Sequence, residues 1–232
     1  MTLTPGARDL RDSLQTALHD LNTPLSILQN SLEPIEHSPL APEAQAAVIT
    51  IRRELARLMA VSEDLYLKLR ASEPDEPPAT GELDLQALVQ EQIEILEEQH
   101  PTRSVGCRYL NGSARVVGER SVLESLVWVV LTGVLLRTEA DVLVTLTCSP
   151  DGRRVVLSVC DEGPALEPAR LPELFVGQRQ AGRGVSAPRS FALGLSAGRS
   201  LLRRLGGDLG VAAAEGGAVN RIELQLPARV RP

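Results

Sequence analysis

The chain has 232 residues, with 24 Lys and Arg against 30 Asp and Glu, a formal charge of −6 and only 2% aromatic residues. This length accommodates one or two globular domains. The acidic balance, the lack of a basic run and the scarcity of aromatic rings argue against nucleic acid as a partner. No apolar run approaches the roughly 18–20 residues that span a bilayer, and the first residues lack the pattern of an export signal. We therefore expect a cytoplasmic protein without membrane insertion.

The cysteines do not suggest a metal or redox site. Cys107, Cys148 and Cys160 are odd in number and lie far apart, without CxxC spacing. We expect them to be small apolar side chains in strands. The sequence therefore predicts no metal ligands among them.

Before residue 74, apolar residues recur in alternating steps of four and three, which predicts long helices with a heptad seam. The seam of the first helix consists of Leu14, Leu18, Leu21, Leu25, Leu28, Leu32 and Ile35. Residues 33–43, with three prolines, interrupt the spacing, and a second helix is expected to return antiparallel. Its seam consists of Ala44, Val48, Ile51, Leu55, Leu58, Leu65 and Leu69, with Ser62 as a polar interruption. Since a single hairpin leaves both seams partly exposed to solvent, we expect a homodimer that forms a four-helix bundle.

Proline and turn formers at 74–81 indicate a domain boundary. We predict a helical hairpin at 1–73, a linker at 74–82 and a mixed domain at 83–232. In the mixed domain, the patterns predict three helices, at 83–98, 121–137 and 193–205. They also predict strands at 103–109, 114–118, 141–148, 153–160 and 219–226. Helices on one face of a mostly antiparallel sheet make an α+β sandwich, and residues 177–192 have the composition of a mobile loop.

His19 is the residue most suited to chemistry. It follows a seam leucine, so its ring is expected on the flank of the helix, in solvent and next to the carboxylate of Asp20. An imidazole nitrogen can attack a phosphoryl group, and a neighbouring carboxylate can accept or orient the ring proton. Pro24 is expected to kink the helix just past the histidine. The alternative is an ordinary surface histidine.

Residues 19–25, HDLNTPL, resemble the phosphoacceptor box of the histidine kinases of two-component signalling, H-E/D-x-x-T/N-P-L. The resemblance implies that His19 carries the phosphoryl group and that Asp20 assists proton transfer. It also implies that Thr23 positions a water for dephosphorylation. For Thr23 a second interpretation stays open, in which its hydroxyl bonds a carbonyl left without a donor by Pro24.

The mixed domain resembles the ATP-binding domain of the same family in its order of elements. DEGPA at 161–165 is similar to the D-x-G-x-G box, ALGL at 192–195 to a G-x-G-L box, and LPELFVG at 171–177 to the F-box. The resemblance implies that Asp161 reads the adenine amino group and that Gly163 and Gly194 lie at the nucleotide. Asp161 follows a strand, so it could equally be a turn-forming aspartate.

The sequence departs from this family at the metal and phosphate positions. Aligned with the N-box, residues 129–137 place Gly133 where the family has its Mg²⁺-binding Asn and Leu136 where it has a Lys. The surrounding helix is apolar almost all round, as is typical of a helix buried on several faces. Ala165 and Ala192 replace two glycines of the nucleotide boxes. We therefore expect the ATPase fold without productive Mg-ATP binding, and no cofactor.

These features favour a phosphorelay protein, a histidine phosphotransferase rather than a kinase. It would exchange a phosphoryl group at His19 with response-regulator receiver domains, which supply Mg²⁺, and a hybrid histidine kinase is a further candidate partner. Gln15, Asn22 and Ser26 share the helical face of His19 and are expected to frame the docking surface. Two alternatives stay open. One is a divergent, soluble ATP-dependent histidine autokinase in which Glu124 or Asp161 holds the metal, and the other is a non-catalytic adaptor for a kinase or a receiver.

Overall fold

The computed structural model describes residues 5–36, 38–72, 81–100, 103–110, 114–163, 166, 168–175, 194–213 and 220–229. The predicted loop at 177–192, most of the predicted linker at 74–82, and Ala165 and Ala192 lie outside these ranges. The boundary between the two predicted domains therefore stays a prediction. No helix in the described ranges is both long enough and apolar enough to cross a bilayer.

The predicted hairpin is formed by two long helices, α1 (Pro5–Glu36) and α2 (Pro42–Ala71). α1 remains one helix through Pro24, although proline removes a backbone donor. α2 starts on Pro42, where the missing N–H would have had no helical partner. The helices share a small core of Leu25, Leu32, Val48 and Leu55.

Only alternate seam positions are buried in the hairpin. In α1, Leu25 and Leu32 face α2. The intervening α1 positions are between 43% and 54% exposed: Leu14, Leu21, Leu28 and Ile35. The corresponding α2 positions are between 45% and 53% exposed: Ile51, Leu58 and Leu65. Each helix thus has an uncovered apolar stripe with seven-residue spacing, which we call the outer seam.

The rest of the described chain is an α+β unit. Its elements are β1 (Gly81–Asp84), α3 (Leu85–Gln99), β2 (Val105–Leu110), β3 (Arg115–Gly118), α4 (Arg120–Leu135), β4 (Val142–Cys148), β5 (Arg154–Asp161), a 3-10 helix (Pro168–Phe175), α5 (Leu195–Arg204), β6 (Asp208–Ala213) and β7 (Asn220–Pro227). Strands β2-β4-β5-β7-β6 form a mixed sheet in that order, with β2 parallel to β4 and the other neighbours antiparallel. β1 and β3 form a separate antiparallel ribbon.

The predicted α+β architecture is confirmed, and each predicted helix and strand of the mixed domain is present with shifted ends. The patterns missed β1, β6 and the 3-10 helix. The three cysteines lie in strands β2, β4 and β5, as expected, and are half-buried.

α4 forms the centre of the molecule. It contacts α2, α3, α5 and β5, and twelve of its sixteen residues are buried. A helix covered on so many sides needs apolar residues around most of its circumference. The expectation that this helix is buried on several faces is therefore confirmed.

Candidate functional site

The predicted phosphoacceptor segment lies in the middle of α1. Asp20 and Thr23 are exposed on this helix, whereas the side chains of His19 and Gln15 lie outside the described part of the structure. The helix presents Asp20, beside His19 in sequence, to solvent. The chemical roles of His19, Asp20 and Thr23 stay predictions.

Two residues expected to frame a docking surface make contacts inside the chain. Asn22 Nδ2 donates to Glu63 Oε1 of α2 at 3.0 Å, and Ser26 Oγ donates to the Asn22 carbonyl oxygen at 3.0 Å. Glu63 also accepts a hydrogen bond from Ser125 of α4. Burial raises the pKa of Glu63 above its ordinary value, and the bonds from Ser125 and Asn22 act in the opposite direction. Glu63 thus connects α1 to α4, and docking at Asn22 and Ser26 stays a prediction.

Side chains of β5 point alternately toward the interior and away from it, and this alternation places Asp161 in the interior. Val155, Leu157 and Val159 point inward, and Asp161 is the next inward position, at the end of the strand. In the antiparallel pairing, Asp161 lies opposite Asn220, the first residue of β7. Both side chains are buried, so a carboxylate and an amide meet at one end of the sheet.

Asp161 forms a buried ion pair with Arg137, which follows α4. Arg137 Nη2 bonds Asp161 Oδ1, and the two side chains are only 3% and 1% exposed. The same Oδ1 accepts hydrogen bonds from the Gly163 backbone N–H at 2.8 Å and from Asn220 Nδ2 at 3.3 Å. The bond to the amide two residues on is the contact of a turn-forming aspartate. The carboxylate that the resemblance assigns to adenine is thus bonded to groups of this chain.

Both predicted glycines of the cleft are closely packed. A Cβ atom on Gly163 would lie 2.7 Å from the Thr138 Cβ. Gly194 has φ +71°, and a Cβ there would lie 2.6 Å from Val129 Cγ1 of α4. The Gly194 N–H donates to Asp64 Oδ1 of α2 at 2.7 Å. Gly194 therefore lies beneath the hairpin, in contact with α2 and α4.

Two described positions aligned with the N-box carry no side-chain oxygen. Gly133, in the middle of α4, and Leu136, at its C-cap, bring no oxygen ligand to the positions that hold metal and phosphate in the family. Glu124, a possible substitute, accepts a hydrogen bond from Arg120 Nε at 2.6 Å, and Asp161 is paired with Arg137. In the described ranges, no three His, Cys, Asp or Glu side chains come together as metal ligands.

Sequence reasoning missed Arg137, Asn220 and Asp64. A charged residue directly after a strongly apolar helix was the available signal for Arg137, although such a residue usually complements the helix dipole. Asp64 lies off the heptad seam, and only Ala60 and Leu67, seven residues apart, hint at a second buried face on α2.

Comparison with known proteins places these observations in a family. Residues 118–230 match the family described as histidine kinase-, DNA gyrase B-, and HSP90-like ATPase. The chain is 30% identical over 224 residues to the sensor histidine kinase TrcS of Mycobacterium tuberculosis, covering 94% of this chain and 44% of TrcS. It is 25% identical over 221 residues to the probable sensor histidine kinase TcrY of the same organism, covering 94% and 46%. The chain thus spans less than half the length of these relatives.

A solved structure shares the fold. The crystal structure of full-length ShkA in complex with AMPPNP superposes with a TM-score of 0.59 at 20% identity, covering 95% of this chain and 47% of that chain. The α+β unit is therefore an ATPase domain of the histidine kinase type. The chain belongs to the histidine kinase family of two-component signalling.

Proposed function

We propose that this protein is a cytoplasmic phosphorelay component, a histidine phosphotransferase that carries a phosphoryl group on His19. It exchanges the group with the aspartate of response-regulator receiver domains, or with a hybrid histidine kinase, and is not charged efficiently from ATP. The observation that best supports this proposal is the buried Arg137–Asp161 pair. In this pair the guanidinium bonds one oxygen, Oδ1, of the carboxylate that the resemblance assigns to adenine.

Displacement of the Arg137 guanidinium from Asp161 costs free energy. If adenine replaced Arg137 at Asp161 Oδ1, the arginine would be left buried without this carboxylate. Breaking a buried ion pair on one side costs about 3–5 kcal/mol, which corresponds to roughly a hundred- to thousandfold weaker binding. Gly133 and Leu136 offer no oxygen ligands to compensate for this loss.

The transfer step needs few groups from this chain. One imidazole nitrogen of His19 attacks the phosphorus of the receiver's phosphoaspartate, the bond between phosphorus and the aspartyl oxygen breaks, and the aspartate leaves as a carboxylate. The proton on the other ring nitrogen is held by the neighbouring carboxylate of Asp20. Mg²⁺ comes with the receiver, and the reverse sequence passes the group to the next receiver.

Transfer of label tests the proposal. The full chain and its His19→Gln variant are incubated either with labelled ATP and Mg²⁺ or with receiver domains phosphorylated by labelled acetyl phosphate. We expect label from a receiver on the wild-type chain, none on His19→Gln, and only trace labelling from ATP. Efficient labelling from ATP that requires His19 would establish the autokinase, which the match of residues 118–230 to the ATPase family favours. Signalling in cells that survives His19→Gln would establish the adaptor.

We also propose that a second copy of the chain covers the outer seam. The stripe on α1 and the stripe on α2 both repeat every seven residues, the spacing with which helices of a four-helix bundle pack. Two hairpins facing each other would bury seven exposed aliphatic side chains from each copy: Leu14, Leu21, Leu28, Ile35, Ile51, Leu58 and Leu65. This homodimer is the bundle that the heptads predict.

A further inference from the structure

α2 has a second buried face, turned away from α1 and toward the ATPase domain. Ala60 and Leu67 are fully buried there and belong to the core of the α+β unit rather than to the hairpin core. α2 contacts both α4 and α5 along this face. The helix thus takes part in two cores, and one of them covers the glycine at the start of α5.

Asp64 is the charged residue of this face and is only 3% exposed. Its Oδ1 accepts the hydrogen bond from the Gly194 N–H at 2.7 Å, and its Oδ2 is paired with Lys68. Gly194 is the N-cap of α5, which has no acidic residue in its first turn. The first N–H groups of a helix have no helical acceptor and favour a negative charge. In this protein, α2 supplies that charge.

Apolar contacts close the space around this hydrogen bond. A Cβ atom on Gly194 would lie 3.2 Å from Leu67 Cδ1 of α2 and 2.6 Å from Val129 Cγ1 of α4. The Gly194 backbone is therefore enclosed between the two helices. The Asp64 carboxylate occupies the N–H, so a phosphate oxygen could bond it only where that carboxylate is absent or displaced.

Polar contacts fasten the part of α2 that follows Asp64. Tyr66 Oη donates to Ser121 Oγ at 3.0 Å, and Arg70 forms a largely buried ion pair with Glu119. Arg204 Nη1 of α5 donates to the Arg70 carbonyl oxygen at 3.3 Å. These bonds join the last turns of α2 to the start of α4 and to the end of α5.

We propose that Asp64 is an autoinhibitory latch, an internal anion that occupies the N-terminus of α5 and keeps phosphate groups away from Gly194 while α2 is docked. The inference rests on the proposed function, since it identifies what keeps the cleft of this phosphorelay protein closed. It also assigns α2 two roles, as a bundle helix on one face and as a cover on the other. Movement of α2 is then the event that opens the cleft.

Amide exchange and anion binding at Gly194 test the latch. We compare the full-length wild-type chain, Asp64→Ala and the control Glu54→Ala, a carboxylate on the exposed side of α2. In Asp64→Ala, loss of a charge-assisted hydrogen bond should speed exchange of the Gly194 N–H roughly ten- to hundredfold. Millimolar inorganic triphosphate should then shift the Gly194 amide resonance in this variant, and in neither wild type nor Glu54→Ala.

Asp64→Asn provides a second variant of equal volume should the alanine variant fail to fold. Its neutral oxygen still accepts the hydrogen bond, so we expect an increase in exchange smaller than that of Asp64→Ala. Unchanged Gly194 exchange in the Asp64 variants, or the same response to triphosphate in wild type, would overturn the latch. This measurement involves no phosphorylation, whereas the proposed function fails on labelling of wild-type His19 by ATP, so the two failures are distinguishable.

Discussion

Arg137 and Asp161 carry opposite charges in an interior where almost no water reaches them. A buried charge is tolerated when it is paired and hydrogen-bonded. Asp161 meets this condition through Arg137, the Gly163 N–H and Asn220. Removal of one member therefore affects stability as well as any binding at the cleft.

We expect Arg137→Met to lower the free energy of unfolding by about 3–5 kcal/mol, because it leaves the Asp161 carboxylate buried without its cation. Urea denaturation measures the loss. The double variant Arg137→Met, Asp161→Leu should regain only part of it, since an apolar pair can replace a buried ion pair but the Gly163 N–H and Asn220 lose their acceptor. Arg221→Met removes an exposed pair with Glu223 and should cost less than about 1 kcal/mol. Equal losses for Arg137→Met and Arg221→Met would contradict this account of the buried pair.

Alanine substitutions at Gly194 and Gly152 distinguish the cost of backbone strain from the cost of close packing. Both have positive φ, +71° and +67°, but no atom lies within 4 Å of a Cβ on Gly152. Alanine should cost about 1 kcal/mol at either position from strain, and about 1–3 kcal/mol more at Gly194 because of the contact with Val129. Thermal unfolding of the two variants measures the difference. If both midpoints fall equally, the enclosure of Gly194 between α2 and α4 is wrong.

At the scale of the elements, the hairpin shows why a heptad pattern alone understates what a helix contacts. Steps of four and three place Leu25 and Leu32 between α1 and α2, and the outer seam next to them on the same broad face of each helix. On α2, Leu67 lies outside the seam and packs into the ATPase domain. α2 thus carries three apolar stripes: one packs against α1, one packs into the ATPase domain, and the third is the exposed outer seam. The heptad identifies only the first and the last of them.

We expect Leu28→Glu to convert the proposed dimer into monomers, because it places a carboxylate in the middle of the outer seam. Leu58→Glu tests the stripe on α2 in the same way. Asn30→Glu adds the same charge at an exposed polar position of α1 and serves as the control. Sedimentation equilibrium measures the mass. A monomeric wild-type chain, or dimers that persist in both leucine variants, would exclude this interface.

For the whole molecule, His100 links acid sensitivity to the packing of the hairpin against the ATPase domain. His100 is the C-cap of α3. Burial, together with the positive charges of Arg52 in α2 and Arg103, lowers its pKa from 6.5 to about 4. The native state therefore holds this imidazole neutral at pH values where the unfolded chain protonates it.

This shift predicts that stability falls as the pH is lowered. Between about pH 6.5 and pH 4 the unfolded state binds the proton more readily, so the contribution of His100 is complete above pH 6.5 and is lost toward pH 4. Over this pH range the shift of the His100 pKa lowers the free energy of unfolding by ~3 kcal/mol. We expect a smaller drop in unfolding free energy from pH 7 to pH 5 in His100→Gln than in wild type, measured by urea denaturation. Parallel pH profiles would show that another group is responsible.

The amino-acid sequence was sufficient for what depends on local periodicity. The apolar repeats predicted both hairpin helices, α4 as a buried helix and the β4–β5 hairpin, because these patterns reflect contacts repeated every few residues. The motif at 19–25 indicated the family, which the comparisons support. The four-residue β1 and the glycine- and alanine-containing β6 escaped notice, because their stability comes from pairing with β3 and β7.

The state of the cleft was decided only by the tertiary structure. Asp161 was recognised as a nucleotide residue or a turn residue, but its cation is Arg137, 24 positions earlier. Gly194 was recognised as a remnant of a glycine box, but its acceptor Asp64 lies 130 positions away in the other part of the chain. Periodicity carries information about neighbours along one helix or strand. Which charged group pairs with which depends on how α2, α4 and α5 pack against one another, and local periodicity carries no information on that packing.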